Sequence, residues 1–252
     1  MRPSALCLLV ALLLLATRSP ASDAAVVAPR GASAPPADVA DAYEGAWFSY
    51  RDLYRRMIRF EKYGGPKQFI QSQLQLAPAD KTAAIGGAQL SLRSHSVRLD
   101  LPLDALGRAS FPFLKQAYDE NAELRVNRPA GTVALEQQLS ILTRADGVYA
   151  LGDLRAACEE VLQYQRYASL LAHRLTRCVG LAFIFPKEAP ATVAGVRRRD
   201  QERSSLSAMD GDAWGGNSAK THKLVVLRFS QWPGEGQVLC EMAPLAITPI
   251  LE

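Results

Sequence analysis

The chain has 252 residues, of which 48% are hydrophobic and 21% are charged, with 29 basic side chains against 25 acidic ones. The formal net charge is +4, and it falls to +2 without Arg2 and Arg18 (27 basic minus 25 acidic). A charge this small argues against nucleic acid as the main partner, because neutralising a phosphate backbone requires a concentrated basic face. The length and composition fit a folded globular chain with one large domain or two small ones.

The first residues have the features of a secretory signal peptide. Arg2 supplies a positive charge, residues 5–16 form an apolar run without a charged residue, and small residues follow. The run is too short to cross a bilayer, since a spanning helix needs about 20 residues. We therefore expect residues 1–21 to be removed, with cleavage after Ala21 or Ala24. The mature chain is expected to be soluble, without a membrane span, and periplasmic or secreted.

Residues 22–40 are alanine, proline and small polar residues without an apolar period, which predicts a disordered linker before a single domain at 41–252. An amphipathic helix of about four turns is predicted next and would end at Gly64, Gly65 and Pro66. Its aromatic residues could form an exposed row that binds sugars or peptides, although their helical spacing favours core packing. These residues are Trp47, Phe48, Tyr50, Tyr54, Phe60 and Tyr63.

Alternation of apolar and polar residues predicts several half-buried strands in the first half of the domain. One polar face on each strand indicates antiparallel sheets, so the predicted fold class is α+β, with a β-sandwich or meander and two packed amphipathic helices. The predicted strands lie at residues 70–76, 90–92, 97–103, 124–126 and 133–141, with a turn at 127–131 between the last two.

A second amphipathic helix is predicted from Asp153, a good N-cap, to Leu175. Its apolar stripe includes Cys158, Leu171 and Leu175. Three later strands are expected to form one sheet against this helix, and they lie at residues 179–185, 225–229 and 238–242.

Between the first two of these strands, residues 189–220 lack a core pattern and are predicted to be a flexible insertion. If it is a recognition element, Arg197, Arg198 and Arg199 would meet acidic groups and Trp214 would supply apolar contact area. A plain solvated loop is the alternative interpretation.

Cys158, Cys178 and Cys240 remain after the predicted cleavage, so one pair and one free thiol are expected in an oxidising compartment. A continuous second helix would hold Cys158 and Cys178 about 30 Å apart, far beyond disulfide reach. Cys178 and Cys240 are therefore the predicted pair, with Cys158 as a small buried apolar residue.

Motifs that carry chemistry are missing from the sequence. His95, His173 and His222 do not stand at metal-ligand spacing from another histidine or a cysteine, and no nucleophile elbow or phosphate loop occurs. No metal, cofactor or catalytic residue is predicted.

Two segments resemble one known family. Residues 101–113 (LPLDALGRASFPF) and 122–131 (AELRVNRPAG) are similar to a family of uncharacterised secreted proteobacterial proteins of unknown function. The resemblance covers residues 45–190 and implies a β-rich unit before a helix and a closing strand pair. It implies no activity and no functional residue.

The leading hypothesis is a non-catalytic binding or interaction module of the cell envelope, with an envelope protein or a glycan as its partner. It is based on the signal peptide, the β-rich pattern and the missing motifs. One alternative is an envelope hydrolase acting on glycan or peptide, with a site assembled from remote residues. Another is a structural accessory that holds an envelope complex together through its long loop.

Overall fold

The structure is a computed structural model, and it describes residues 45–79, 85–198, 202–213 and 220–252. The predicted signal peptide (1–21) and linker (22–40) lie outside the described residues, and so do Arg199 and Trp214. All described residues fall within one unit, Val39–Glu252.

Four helices and 15 strands make up the described chain. The helices are α1 (Tyr50–Glu61), α2 (Lys115–Asp119), α3 (Leu151–Ala168) and α4 (Leu170–His173). The strands are β1 (Gly45–Ser49), β2 (Ile70–Pro78), β3 (Leu90–Arg93), β4 (Arg98–Leu101), β5 (Arg108–Ala109), β6 (Glu123–Pro129), β7 (Val133–Ile141), β8 (Val148–Ala150), β9 (Cys178–Pro186), β10 (Ala194–Arg197), β11 (Ser204–Leu206), β12 (Ala208–Gly211), β13 (His222–Arg228), β14 (Gln237–Cys240) and β15 (Ala246–Leu251).

The predicted α+β class with antiparallel sheets is confirmed. The strands form a first sheet in the order β1-β6-β3-β4, a second in the order β11-β10-β14-β8, and a seven-stranded sheet in the order β12-β13-β9-β15-β7-β2-β5. The pairing within each ladder is antiparallel. The turn predicted between β6 and β7 is present, and Gly131 adopts a φ of +80° there, which glycine tolerates best.

Helix α1 begins later than its pattern predicts, because Trp47 and Phe48 belong to β1. The Ser49 hydroxyl caps the helix by accepting a hydrogen bond from the Asp52 N–H at 3.3 Å. The predicted core role of the helical aromatic residues holds for Tyr50, which is fully buried and stacks on Phe111 with ring centroids 5.1 Å apart.

The two largest hydrophobic cores of the described residues both include side chains of α1. The first contains Leu53 and Met57 of this helix together with apolar residues of the first sheet and of β2 and β7. The second contains Phe60, the inner face of α3, and residues of both other sheets. The second core positions the site described below.

The three C-terminal strands predicted to share one sheet do not do so. Strands β9 and β13 pair with each other, whereas β14 pairs with β8 and β10 in the second sheet. The stretch predicted to be a flexible insertion instead forms β10, and β14 pairs with β10 and not with β13.

The prediction of a flexible insertion at 189–220 is wrong for most of its described residues. This stretch contributes β10, β11 and β12, and Val193 and Val196 are completely buried in the second core. These strands have three or four residues each, which is too short for a period of two to stand out.

Ion pairs also join β12, the edge strand of the seven-stranded sheet, to Lys187 and Lys223. Asp210 lies 2.7 Å from the Lys187 ammonium and 2.6 Å from that of Lys223. Hydrogen bonds from these two lysines lower the pKa of Asp210 from 3.8 to about 2. These ion pairs therefore stabilise the folded state at pH values above the ordinary pKa of an aspartate, and this contribution is lost as the pH falls through about 2. The contribution is small because the carboxylate is exposed.

The packing of β11 can be tested by truncating its buried leucine. We expect Leu206→Ala to lower the free energy of unfolding by about 2 kcal/mol or more, because the side chain is part of the second core. Met209→Ala in β12 is the control, since Met209 is 54% exposed, and its cost should stay within about 0.5 kcal/mol. Urea unfolding measures both, and equal small effects would contradict a packed β11.

Candidate functional site

Helix α3 ends before the point that its apolar stripe predicts. Ser169 has a non-helical backbone, with φ −154° and ψ 84°, and its N–H donates to the Gln165 carbonyl oxygen at 2.8 Å. The chain then makes the short helix α4 and returns to β9. Leu171 and Leu175, predicted to line the buried stripe, are instead 90% and 89% exposed.

Because α3 ends early, the disulfide joins a different pair of cysteines from the predicted one. Cys158 is bonded to Cys178, with their Cα atoms 6.0 Å apart, and Cys240 is a free thiol. The predicted Cys178–Cys240 pair is wrong because it assumed a continuous helix beyond Ala168. Since the chain reverses direction after that residue, the start of β9 returns alongside α3.

Arg166 closes the base of the protruding segment between α3 and β9. Its guanidinium donates to the His173 carbonyl oxygen at 3.2 Å and to that of Thr176 at 2.7 Å. The backbone of Arg177 exchanges two hydrogen bonds with Glu252, at 2.6 and 3.0 Å. Together with the disulfide, these bonds fix both ends of residues 169–177.

Four exposed large side chains, three on the protruding segment and one in the last turn of α3, form what we call the apolar tip. They are Tyr167, Leu170, Leu171 and Leu175, with exposed fractions of 57%, 61%, 90% and 89%. Tyr167 contacts Tyr63 through its ring, with centroids 5.0 Å apart, and so forms the base of the tip. Soluble proteins expose contiguous apolar side chains of this kind mainly at sites of interaction.

The surroundings of the apolar tip are basic. The side chains of Arg174 and Arg177 are exposed, and neither guanidinium pairs with a carboxylate of a described residue. The chain has no aspartate or glutamate from residue 161 to residue 187. The tip therefore combines apolar area with exposed arginines, and the acidic residue at its base, Glu252, pairs its side chain with Arg228.

A cleft of about 720 Å³ lies beside the tip, where the seven-stranded sheet opens. Between β15 and β7 the ladder consists of the single pair Ile247–Ile141. Pro249 follows two residues after Ile247 and would face the same edge, but it has no N–H to donate. The two strands consequently separate beyond this pair.

The cleft is lined by both polar and apolar groups. Its lining includes Gln165 and His173 from the helical side and Asp212 from the far side of the sheet. The Gln165 Oε1 atom is buried and has no hydrogen-bond partner among the described residues. Burial raises the pKa of Tyr164, whose hydroxyl accepts a hydrogen bond from the Gln137 amide at 3.3 Å. Such a lining suits a ligand with both polar and apolar parts.

The predicted recognition residues lie elsewhere, in the second sheet. Arg197 is exposed and donates to the Gln237 Oε1 atom at 3.0 Å. The Arg198 guanidinium lies 5.5 Å from the centre of the Trp232 ring. Neither residue lines the cleft or belongs to the apolar tip. Arg199 and Trp214 are outside the described residues, so the predicted group of four stays untested as a set.

The free cysteine is poorly suited to chemistry. Burial raises the pKa of the Cys240 thiol to about 12, so the reactive thiolate is almost absent at neutral pH. In the described part of the chain, no group of three or more histidine, cysteine or acidic residues could hold a metal ion. No helix in that part is both long and apolar enough to cross a membrane.

No family model, curated protein or solved structure matches this chain.

The disulfide can be tested by peptide mapping and by substitution. Non-reducing digestion should yield a Cys158–Cys178 peptide, and Cys178→Ser should lower the free energy of unfolding by about 3 kcal/mol, because the bond closes a loop of about 20 residues. Cys240→Ser should change it little. A linked Cys178–Cys240 peptide would contradict the pairing described here.

The role of Arg166 can be tested by hydrogen exchange. Arg166→Gln removes two charge-assisted bonds, so the amide of Arg177 should exchange about tenfold faster or more. Arg174→Gln is the matched control, since it removes an exposed guanidinium of the same segment. Unchanged protection in the Arg166 variant would show that the disulfide alone closes this base.

Proposed function

We propose that this chain is an exported, periplasmic interaction module of the cell envelope that binds a partner through the apolar tip and has no catalytic role. One observation carries the proposal: Leu171 and Leu175 are almost fully exposed at the end of a segment closed by a disulfide and by Arg166. Exposing leucines in this way gives no stability to the free protein, so the arrangement is explained by a surface that covers them.

The closure of the segment supports binding in a second way. Ordering a loop at an interface costs about 0.5 to 1.5 kcal/mol for each immobilised side chain, and a segment already fixed at both ends avoids part of that cost. The presence of a disulfide fits an oxidising compartment and so agrees with the predicted signal peptide. The resemblance to secreted proteobacterial proteins supports the same location.

A second candidate is a hydrolase of envelope glycan or peptide. The observation that favours it is the cleft, which brings His173 and Asp212 into one concavity although they are remote in sequence. Glycosidases and peptidases both use titratable side chains from separate elements. The Arg197 and Arg198 surface remains a further proposed recognition site, outside both the tip and the cleft.

The interaction function can be tested by fractionation of the envelope. Wild-type protein expressed with its own N-terminal residues should stay with the envelope fraction at low salt, because the tip is covered there. The double variant Leu171→Ser, Leu175→Ser should move to the soluble fraction. Leu99→Ser in β4 is the matched control, since Leu99 is 39% exposed and distant in sequence from the tip.

Two results would contradict the interaction function. One is equal retention of the wild type and the tip variant. The other is that the wild type releases fragments from labelled peptidoglycan and His173→Ala does not. That result would favour the hydrolase.

A further inference from the structure

We infer that the partner of the apolar tip is the surface of an anionic phospholipid bilayer, into which the leucines insert while Arg174 and Arg177 contact the headgroups. This inference rests on the proposed interaction function and names its partner. It concerns attachment at the bilayer surface and involves no spanning segment.

The shape of the tip is the first argument. At 90% and 89% exposure, Leu171 and Leu175 have almost no protein atoms around them, so their side chains project from the surface. A protein partner would need a socket shaped for these projections. A bilayer accepts projecting apolar side chains of any arrangement, because acyl chains rearrange around them.

The charge around the tip is the second argument. Arg174 and Arg177 are exposed without a carboxylate partner among the described residues, and Arg166 adds a third positive charge at the base. Residues 161–187 include no acidic residue, and the side chain of Glu252, which lies beside the Arg177 backbone, is paired with Arg228. Leucines for the acyl region beside arginines for the headgroups are the pattern that anionic bilayers attract.

Tyr167 extends this pattern to the boundary between the two regions. Its ring is half-exposed and rests against Tyr63 at the base of the tip, between the leucines and the body of the domain. Tyrosine and tryptophan are enriched at the headgroup level, where the apolar ring and the polar hydroxyl are both satisfied.

A second copy of the chain is a poorer partner for the same surface. A two-fold symmetric contact through the tip would bring the same patch of both copies together. Arg174 and Arg177 of the two copies would then approach one another without acidic residues of this segment to compensate them. Charge complementarity therefore favours an anionic surface over self-association.

The experiment is binding of the full chain, purified from the periplasm, to vesicles by flotation. Vesicles of phosphatidylcholine and phosphatidylglycerol in equal amounts should bind the protein at low salt, and vesicles of phosphatidylcholine alone should bind it at least tenfold less. Leu171→Ser, Leu175→Ser should weaken binding to the anionic vesicles about 100-fold, since each buried leucine contributes about tenfold or more. Arg174→Gln, Arg177→Gln should weaken it about tenfold.

Matched controls come from β4, where Leu99 and Arg98 are both exposed. Leu99→Ser and Arg98→Gln should bind like the wild type. Since every variant has the same N-terminal residues, any contribution of those residues is equal in all of them. Circular dichroism of each variant confirms that the exposed substitutions leave the fold intact.

Several results would overturn the bilayer as partner. They are no binding to anionic vesicles, equal binding by the tip variants, or a dimer in sedimentation that the leucine variant abolishes. Tip-dependent retention in the envelope fraction together with no vesicle binding would reject the lipid partner and leave the interaction function standing. A photocrosslinker at position 171 that reacts with a protein and not with lipid would have the same meaning.

Discussion

The covalent link between α3 and β9 is the constraint on which the rest of the site depends. Cys158 lies on the inner face of α3, completely buried in the second core, and Cys178 is the first residue of β9. With these two points joined, the chain must reverse direction between them: residues 159–168 continue α3, and residues 169–177 lead back to β9. The residues that follow the end of α3 at Ala168 project outwards and carry the leucines of the apolar tip.

The separation of β15 from β7 has a different origin, in the chemistry of one residue. Pro249 can pair with Leu181 of β9 because its nitrogen faces away from that strand, but it cannot donate towards β7. The seven-stranded sheet is thus joined at its middle by one residue pair. Side chains from both faces of the sheet reach the cleft for this reason, which explains how Asp212 and Gln165 come to line the same concavity.

The sequence predicts the helices and strands best where an element is long and has one apolar face. Strands β2 and β7 have nine residues each with polar and apolar alternation, and their positions were predicted together with the antiparallel class. Strand β10 was missed because four residues, of which one is glycine, carry too little pattern. Its burial depends on contacts with β11 and β14, which are distant along the chain and invisible to a local period.

The site was predictable only in part, because its decisive event is the end of a helix. Leu171 and Leu175 continue the apolar stripe of α3 in the sequence, so periodicity alone assigns them to the core. Ser169 is not a residue type that reliably ends a helix. The disulfide that holds the returning chain beside α3 is a tertiary contact, which local periodicity does not reveal. Two signals were present in the sequence: the absence of acidic residues from 161 to 187, and a proline within the last strand.

The disulfide at the base of the tip also makes the final structure of the site depend on oxidation of the chain. Thiols in a reducing cytosol stay unpaired, so a newly made chain would have its leucines on a segment that is not yet closed. Closure would come only after the chain meets an oxidant, and the free Cys240 offers little competition because its raised pKa disfavours thiolate exchange. On the proposed export route, the apolar tip would take its final form only after export.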